Sequence, residues 1–283
     1  MLFRSKKILE RVRPESIDVI LFSSLTLDYH APSTASILHE RLQLKTNCAA
    51  IDLPLGCTGF TTALMVAHGI FRDSSIQRVL IVLGEVPRHA IHPDDSSLLC
   101  LFGDAGSAIL LENSDQNIPF VFGNDGKGFN ALHVLEGGAR NPMNQNSFSS
   151  ELSYPFLNHF GRIFMDGQEI LKLTLQHVPN AVFDLLDKAK LSIEEIDHFI
   201  FHQASNIILE TLQRKLQIPE YKMIKHMANG GNTVSCTIPI AYEMGAKAYE
   251  FKDGANILLF GFGVGFSWCG CVIKHNSTHY DYI

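Results

Sequence analysis

Charged residues are scarce in this sequence, and those present carry a slight acidic excess. They make up 18% of the 283 residues, with 23 Lys and Arg against 29 Asp and Glu, for a net charge of -6. Nothing resembles the basic stripe that a general nucleic-acid binder needs. The start of the chain is too charged, and too soon interrupted by Pro14, to be a signal peptide. We therefore expect a cytoplasmic protein that binds neither nucleic acid nor membranes.

The sequence also lacks the spacings of a zinc site or a disulfide framework. Its six cysteines include no Cys-x-x-Cys pair, so we expect no metal and no disulfides. The sequence also has no long apolar segment without glycines. The most apolar segment, 255–273, contains Asn256 and several glycines, which favours a pair of buried strands over a membrane helix. Cys269 and Cys271 alternate along the second of these strands and are expected to be buried thiols on one face.

The chain repeats itself at an offset of about 179 residues. The segment IDVILF at 17–22 recurs as IDHFIF at 196–201, and the Cys-Thr pair at Cys57 recurs at Cys236. Each pair opens an apolar, small-residue-rich stretch of helical length. Strands that are apolar on both faces and separated by helices predict sheets covered on both sides. The repeat therefore predicts a layered α/β protein built from two similar halves.

We assign residues 1–125 to the first half, 126–160 to connecting loops rich in Asn, Gly, Ser and Pro, and 161–283 to the second half.

Cys57 lies at the predicted start of a buried helix, where it is either a nucleophile or a small core residue. Unpaired amides at a helix N-terminus favour a thiolate and are expected to lower the pKa of this thiol. His202 follows a strand of the second half, at the strand end where α/β proteins build their sites. Asn232 stands before the second buried helix, where its ordinary role is a cap or a turn. Local chemistry alone leaves both interpretations of each residue open.

Three segments that carry these residues, DLPLGCTGF, FIFHQASN and NGGNTVSCTIP, resemble the ketoacyl synthase III group of the thiolase-like condensing enzymes. Three further segments agree in order and spacing: LCLFGDAGSAILLE at 99–112, FMDGQEILK at 164–172 and GFGVGFSWCG at 261–270. The resemblance covers nearly the whole chain. It implies a duplicated thiolase-like fold with α-β-α-β-α layers.

The resemblance also implies a mechanism. Cys57 takes an acyl group from a thioester, and the backbone amides of Cys57 and Gly265 form the oxyanion hole. His202 and Asn232 stabilise the carbanion formed when a malonyl-type thioester loses carbon dioxide. The expected activity is decarboxylative Claisen condensation by an acyltransferase of fatty-acid or secondary-metabolite biosynthesis. It needs no cofactor, since coenzyme A or acyl-carrier-protein thioesters are the substrates, and a homodimer is expected.

The sequence departs from the family pattern in three places. The first half lacks its opening strand, expected in the middle of the sheet, so we expect a fragment, a misassigned start or a strand supplied by a partner. Ala31 replaces a bulky phenylalanine that caps the partner's acyl pocket, and this predicts room for a longer or branched acyl group. Ile207 replaces an arginine that docks the carrier protein. Together these differences favour a specialised enzyme of secondary metabolism.

Two other functions stay open on the sequence. A thiolase-fold acyltransferase could pass the acyl group from Cys57 to an alcohol or amine, with His202 as general base. A non-catalytic subunit of a heterodimeric synthase would instead need none of these residues.

Overall fold

The computed structural model of the chain describes residues 2–92, 94–114, 116–134, 136–142, 163–228 and 230–276. The elements up to residue 112 are α1 (Leu2–Leu9), β1 (Val19–Ser23), α2 (Thr34–Arg41), β2 (Ala49–Leu53), α3 (Gly59–Ile70), β3 (Arg78–Glu85), α4 (Ser96–Leu101) and β4 (Ala105–Glu112). Those that follow are β5 (Phe120–Asn124), β6 (Leu132–Val134), β7 (Ile163–Met165), α5 (Gly167–Ala189), β8 (His198–Phe201), α6 (Asn206–Lys215), α7 (Thr237–Tyr249), β9 (Asn256–Gly263) and β10 (Ser267–Lys274).

Two four-stranded sheets carry the duplication predicted from the sequence. The first has the order β2-β1-β3-β4 and the second β5-β10-β9-β8. In the first sheet β1 runs parallel to β3, and β3 pairs antiparallel with β4. The second sheet repeats this arrangement, with β8 parallel to β9 and β9 antiparallel to β10. The strand pair expected within 255–273 is therefore confirmed as β9 and β10.

Helices cover both faces of each sheet and lie between the two sheets, which confirms the layered α/β fold. One apolar core packs α1 and α2 on the outer face of the first sheet. A second core packs α5 and α6 on the outer face of the second sheet. The central core joins α3 and α7 to the inner faces of both sheets. Cys236, Cys269 and Cys271 are buried, as expected of core thiols.

Two expectations about the first half are wrong in detail. β5 precedes residue 126 but pairs with β10, so the chain crosses to the second sheet before the predicted boundary. The predicted loop region 126–160 also contains a strand, β6, which pairs with β7. Residues 143–160 of this region lie outside the described residues. The strand that the first sheet lacks relative to the second is also not central. Within the described ranges, the counterpart of β5 would lie at the outer edge beside β4, because β1 and β3 pair directly.

None of the helices in the described ranges combines the length and the apolar character needed to cross a membrane.

Candidate active site

Cys57 lies two residues before the first residue of α3, where the end of β9 passes over its side chain. The thiol is buried, with 6% of the residue exposed. A Cβ atom added at Gly263 would lie 2.6 Å from Cys57 Sγ, and one at Gly261 would lie 2.9 Å from the Cys57 carbonyl oxygen. Only glycine allows this approach, because any side chain would collide with the cysteine. The glycines of β9 thus bring the second half of the chain directly onto Cys57.

The pKa of the Cys57 thiol moves opposite to the direction expected from its place at a helix start. Burial raises this pKa to about 11, and the negative charge of Glu85 acts in the same direction. Backbone hydrogen bonds from Val264 and from Cys57 itself lower it by less. Desolvation of the charged form therefore outweighs the local amide donors. The resting site holds a neutral thiol.

His202 follows β8 directly and is enclosed by the second half. Only 1% of it is exposed, and its amide donates to Phe260 O at 2.8 Å, which continues the pairing of β8 with β9. Its Nδ1 lies 2.6 Å from Thr237 Oγ1, and its ring meets Phe262 edge to face. Burial lowers the pKa of His202 to about 3, so the imidazole is neutral at physiological pH.

Asn232 is fixed at both ends of its side chain. Its Nδ2 donates to Ala204 O at 3.3 Å, and its Oδ1 accepts from the Val234 amide at 2.9 Å. Its backbone amide donates to Leu101 O at 2.8 Å, which ties the loop to the end of α4. The position that the sequence assigns to a cap or turn residue therefore holds an oriented amide group, bonded to Ala204 two residues after His202.

Val234 brings the three candidate residues together. Its side chain packs in one apolar cluster with Cys57, and its carbonyl oxygen lies 3.0 Å from Thr237 Oγ1, the hydroxyl that contacts His202 Nδ1. Its amide binds Asn232, as described above. Sequence analysis did not single out Val234. The signal that could have identified it is its position between Asn232 and Cys236 in the second copy of the repeat.

An apolar cluster surrounds the cysteine. Ile91, Leu98 and Phe102 share its buried cluster, and the partly buried Ile163 and Met165 pack against that cluster. These side chains come from segments around α4 and from β7, which the sequence did not connect with the site. They form the apolar surroundings of the Cys57 side chain.

Three other sequence-predicted positions do not meet the sulfur. A Cβ at Gly265 would face Asn124 Oδ1 and the Ser267 amide, at 3.0 Å each. The backbone group at the sulfur belongs to Val264, one residue earlier, because the chain turns across Cys57 as β9 ends. Ala31 is exposed in the loop before α2, and Ile207 is 68% exposed on the first turn of α6. The predicted roles of Gly265, Ala31 and Ile207 stay predictions.

Sequence reasoning also missed Glu85, a buried carboxylate at the end of β3. The available signal was its place as the last residue of an otherwise apolar predicted strand. In the described part of the chain, no group of three His, Cys, Asp or Glu side chains is arranged to hold a metal ion.

Comparison with known proteins gives consistent matches over most of the chain. Residues 51–126 match the family model for 3-oxoacyl-[acyl-carrier-protein] synthase III, and residues 186–275 match the model for its C-terminal part. The chain is 32% identical to a beta-ketoacyl-[acyl-carrier-protein] synthase III of Clostridium acetobutylicum, over 93% of this chain and 78% of that protein. A second such synthase, from Staphylococcus epidermidis, is 32% identical over 91% of this chain and 76% of its own length.

Solved structures agree with the sequence matches. A crystal structure of a 3-oxoacyl-(acyl-carrier-protein) synthase III superposes with a TM-score of 0.91 at 33% identity, covering 97% of this chain and 83% of the other. The priming beta-ketosynthase of the R1128 polyketide pathway superposes with a TM-score of 0.85 at 27% identity, covering 97% of this chain and 80% of the other.

Proposed function

The chain belongs to the 3-oxoacyl-[acyl-carrier-protein] synthase III family of decarboxylative condensing acyltransferases, and we propose that Cys57, His202 and Asn232 catalyse its reaction. The observation that carries this proposal is that Val234 connects all three, since it packs with Cys57, donates its amide to Asn232 Oδ1 and reaches His202 through the Thr237 hydroxyl. A cysteine in an apolar cluster, a neutral histidine and an oriented amide are thus linked through one buried residue. This set of groups suits acyl transfer followed by carbanion chemistry.

In the first step, Cys57 Sγ attacks the carbonyl carbon of an acyl thioester. A new thioester forms on Cys57, and the donor thiol leaves with a proton, so the two thiols exchange the acyl group. The tetrahedral oxyanion needs preorganised amide donors, each worth about 10²–10³ in rate. The backbone groups of Cys57 and Val264, which hydrogen bond to the sulfur, are best placed for this task. We therefore assign the second donor to Val264 instead of Gly265.

In the second step, a malonyl-type thioester loses carbon dioxide. The electron pair of the broken C–C bond moves toward the thioester carbonyl, and Nε2 of His202 and Nδ2 of Asn232 donate to that oxygen. The carbanion then attacks the acyl group on Cys57, and the cysteine leaves and recovers a proton. A neutral histidine suits this role because it donates a hydrogen bond without giving up a full proton.

Thr237 sets which ring nitrogen of His202 carries the proton. Its hydroxyl lies 2.6 Å from His202 Nδ1 and 3.0 Å from Val234 O, and its single proton can go to either atom. The proposed chemistry requires donation to Nδ1, which leaves the ring proton on Nε2.

The substrates and assembly follow the family. We propose that acyl-CoA or acyl carrier protein delivers the acyl groups and that the protein acts in the cytoplasm. A homodimer is supported by β2, which is the outer strand of the first sheet and exposes Ile51. Leu25 and Tyr29 of the neighbouring loop are 50% and 62% exposed, and this loop also carries Ala31. Burial of these side chains by a second copy would remove an apolar surface and an unpaired strand edge.

Intact-protein mass spectrometry tests the nucleophile. The protein is incubated with acyl-CoAs of two to ten carbons, beside Cys57→Ala and a matched Cys236→Ala control from the second copy of the repeat. We expect a mass gain of one acyl group in wild type and Cys236→Ala and none in Cys57→Ala. The preferred chain length tests the wide pocket predicted from Ala31. An adduct that persists in Cys57→Ala would overturn the assignment.

A further inference from the structure

Glu85 is a buried carboxylate that the proposed reaction does not use. It ends β3 with 1% of its surface exposed. Its Oε1 accepts a hydrogen bond from Ser235 Oγ at 2.8 Å. Its Oε2 accepts from Ser24 Oγ, the Leu25 amide and Thr26 Oγ1, each at 3.3 Å. The four donors are neutral, and none of the ion pairs in the described ranges includes Glu85.

A carboxylate in this position is costly to the fold. Burial raises the pKa of Glu85 to about 7, although its four hydrogen bonds oppose the shift. Burying a charged group without a cation destabilises a protein unless every lone pair is satisfied. The hydrogen bonds to Glu85 offset part of this cost, and they hold two segments of the chain in place.

On one side, Glu85 holds the segment that carries Val234. Ser235 lies in the short 3-10 turn Val234–Cys236, directly after the residue on which the candidate catalytic groups converge. A hydrogen bond to Ser235 therefore fixes the turn, and with it the contact of Val234 with Cys57.

On the other side, Glu85 holds the turn that follows β1. Leu25 in this turn packs against the residue before the cysteine, since a Cβ at Gly56 would lie 2.6 Å from Leu25 Cδ1. The N-terminal end of α3 sits between the two anchored segments, since a Cβ at Gly59 would collide with Ser23 Oγ and lie 3.1 Å from Ser235 Cβ. One carboxylate thus connects both walls of the niche that holds Cys57.

We propose that Glu85 is a positioning residue for the condensation, whose two oxygens bind the Ser24–Thr26 turn of the first half to the Val234–Cys236 turn of the second and so fix Val234 between Cys57 and His202. This role rests on the proposed function, in which those residues act together. It acts through hydrogen-bond geometry. An amide of the same shape can replace it, because its oxygen can accept from the Leu25 amide while its NH₂ group donates to Ser235 Oγ.

The test compares wild type with Glu85→Gln, Glu85→Ala and a matched control, Asp18→Asn. Asp18 accepts from the Gln77 and Arg78 amides at the opposite end of β3, far along the strand from the site. The first readout is carbon dioxide release from malonyl-CoA at saturating acyl-CoA. We expect Glu85→Ala to lose on the order of tenfold or more in kcat, with little change in KM for the acyl donor. Glu85→Gln and Asp18→Asn should stay within about threefold of wild type in kcat, even where Tm falls.

The second readout needs no catalysis, so it separates this inference from the proposed function. Iodoacetamide alkylation of Cys57 is followed from pH 7 to 10 by peptide mass spectrometry. Because the charge of Glu85 raises the pKa of this thiol, both Glu85 variants should shift the profile to lower pH, and Asp18→Asn should not. The shift in Glu85→Gln tests whether the carboxylate lies close to Cys57. If Glu85→Ala fails to fold, Ser235→Ala, which removes the hydrogen bond to Glu85 Oε1, tests the positioning role by the same loss of kcat.

Three results would overturn the inference: wild-type kcat in Glu85→Ala, equal loss of kcat in Glu85→Gln and Glu85→Ala, or an unchanged alkylation profile in both Glu85 variants. A wild type that releases no carbon dioxide would refute the proposed function instead, and the alkylation profiles would still test Glu85.

Discussion

Alkylation of Cys57 should be slow at neutral pH, and its rate should climb steadily with pH. Burial raises the pKa of this thiol to about 11, against an ordinary value of 9.0. At pH 8 such a thiol is roughly 0.1% thiolate, whereas an ordinary one is roughly 10% thiolate, and only the thiolate reacts. The structure therefore predicts an alkylation rate on the order of 100-fold below that of an ordinary thiol, before any loss from restricted access.

The assay is pseudo-first-order alkylation by iodoacetamide, with each cysteine peptide quantified by mass spectrometry. Cys100, which is exposed on α4, serves as an internal reference for reagent activity. The Cys57 rate should rise about tenfold per pH unit from pH 7 to 10 without reaching a plateau. A plateau at or below pH 8 would refute the reasoning, since it would mean that the amides at the start of α3 outweigh burial.

Four further predictions follow from the site. His202→Ala should keep acyl loading of Cys57 but reduce carbon dioxide release about 100-fold or more, measured with labelled malonyl-CoA, and equal loss of both steps would contradict its role. Thr237→Val should lower carbon dioxide release and Thr237→Ser should restore it, because only a hydroxyl can donate to His202 Nδ1; equal rates in both variants would contradict this. The raised pKa of Glu85, about 7 against an ordinary 4.5, means that the native state binds its proton more tightly, so this group lowers the free energy of unfolding as pH rises from 4.5 to 7. Glu85→Gln should remove that loss in urea unfolding, and an unchanged slope between these pH values would count against it. Ile207→Arg should increase turnover with carrier-bound substrate and leave turnover with the CoA thioester unchanged, and a parallel change in both would show that this surface does not dock a carrier.

Much of the fold can be predicted from the sequence because the sequence contains two similar halves. The apolar runs of β3 and β9 are bounded by polar or glycine residues, and both halves share the order helix, strand, helix, helix, strand, strand, to which the first half adds β2 and α4. The exchange of β5 into the second sheet is not readable, since PFVFG has the pattern of a strand but carries no sign of its partner. Strand pairing over that distance depends on the packing of α5 against both β5 and β10.

In the site, too, some features follow from the local sequence and others depend on distant parts of the chain. Cys57, His202 and Asn232 stand out because each lies in a distinctive motif. The raised pKa of Cys57 could not be predicted from a motif, because it depends on burial beneath β9, and β9 belongs to the other half of the chain. Our proposal of Val264 in place of Gly265 rests on a hydrogen bond from the backbone, which is independent of side-chain type and which a glycine pattern therefore does not indicate.

The most direct test of the account is a stoichiometric product measurement. Wild-type protein is supplied with its preferred acyl-CoA and labelled malonyl thioester, on coenzyme A and on acyl carrier protein, and carbon dioxide and 3-oxoacyl product are quantified together. We predict one carbon dioxide per 3-oxoacyl thioester, with product lost in Cys57→Ala and in Asn232→Ala. An acylated Cys57 that yields neither carbon dioxide nor a 3-oxoacyl product with either malonyl thioester would contradict the account, and would identify the protein as an acyltransferase that does not condense.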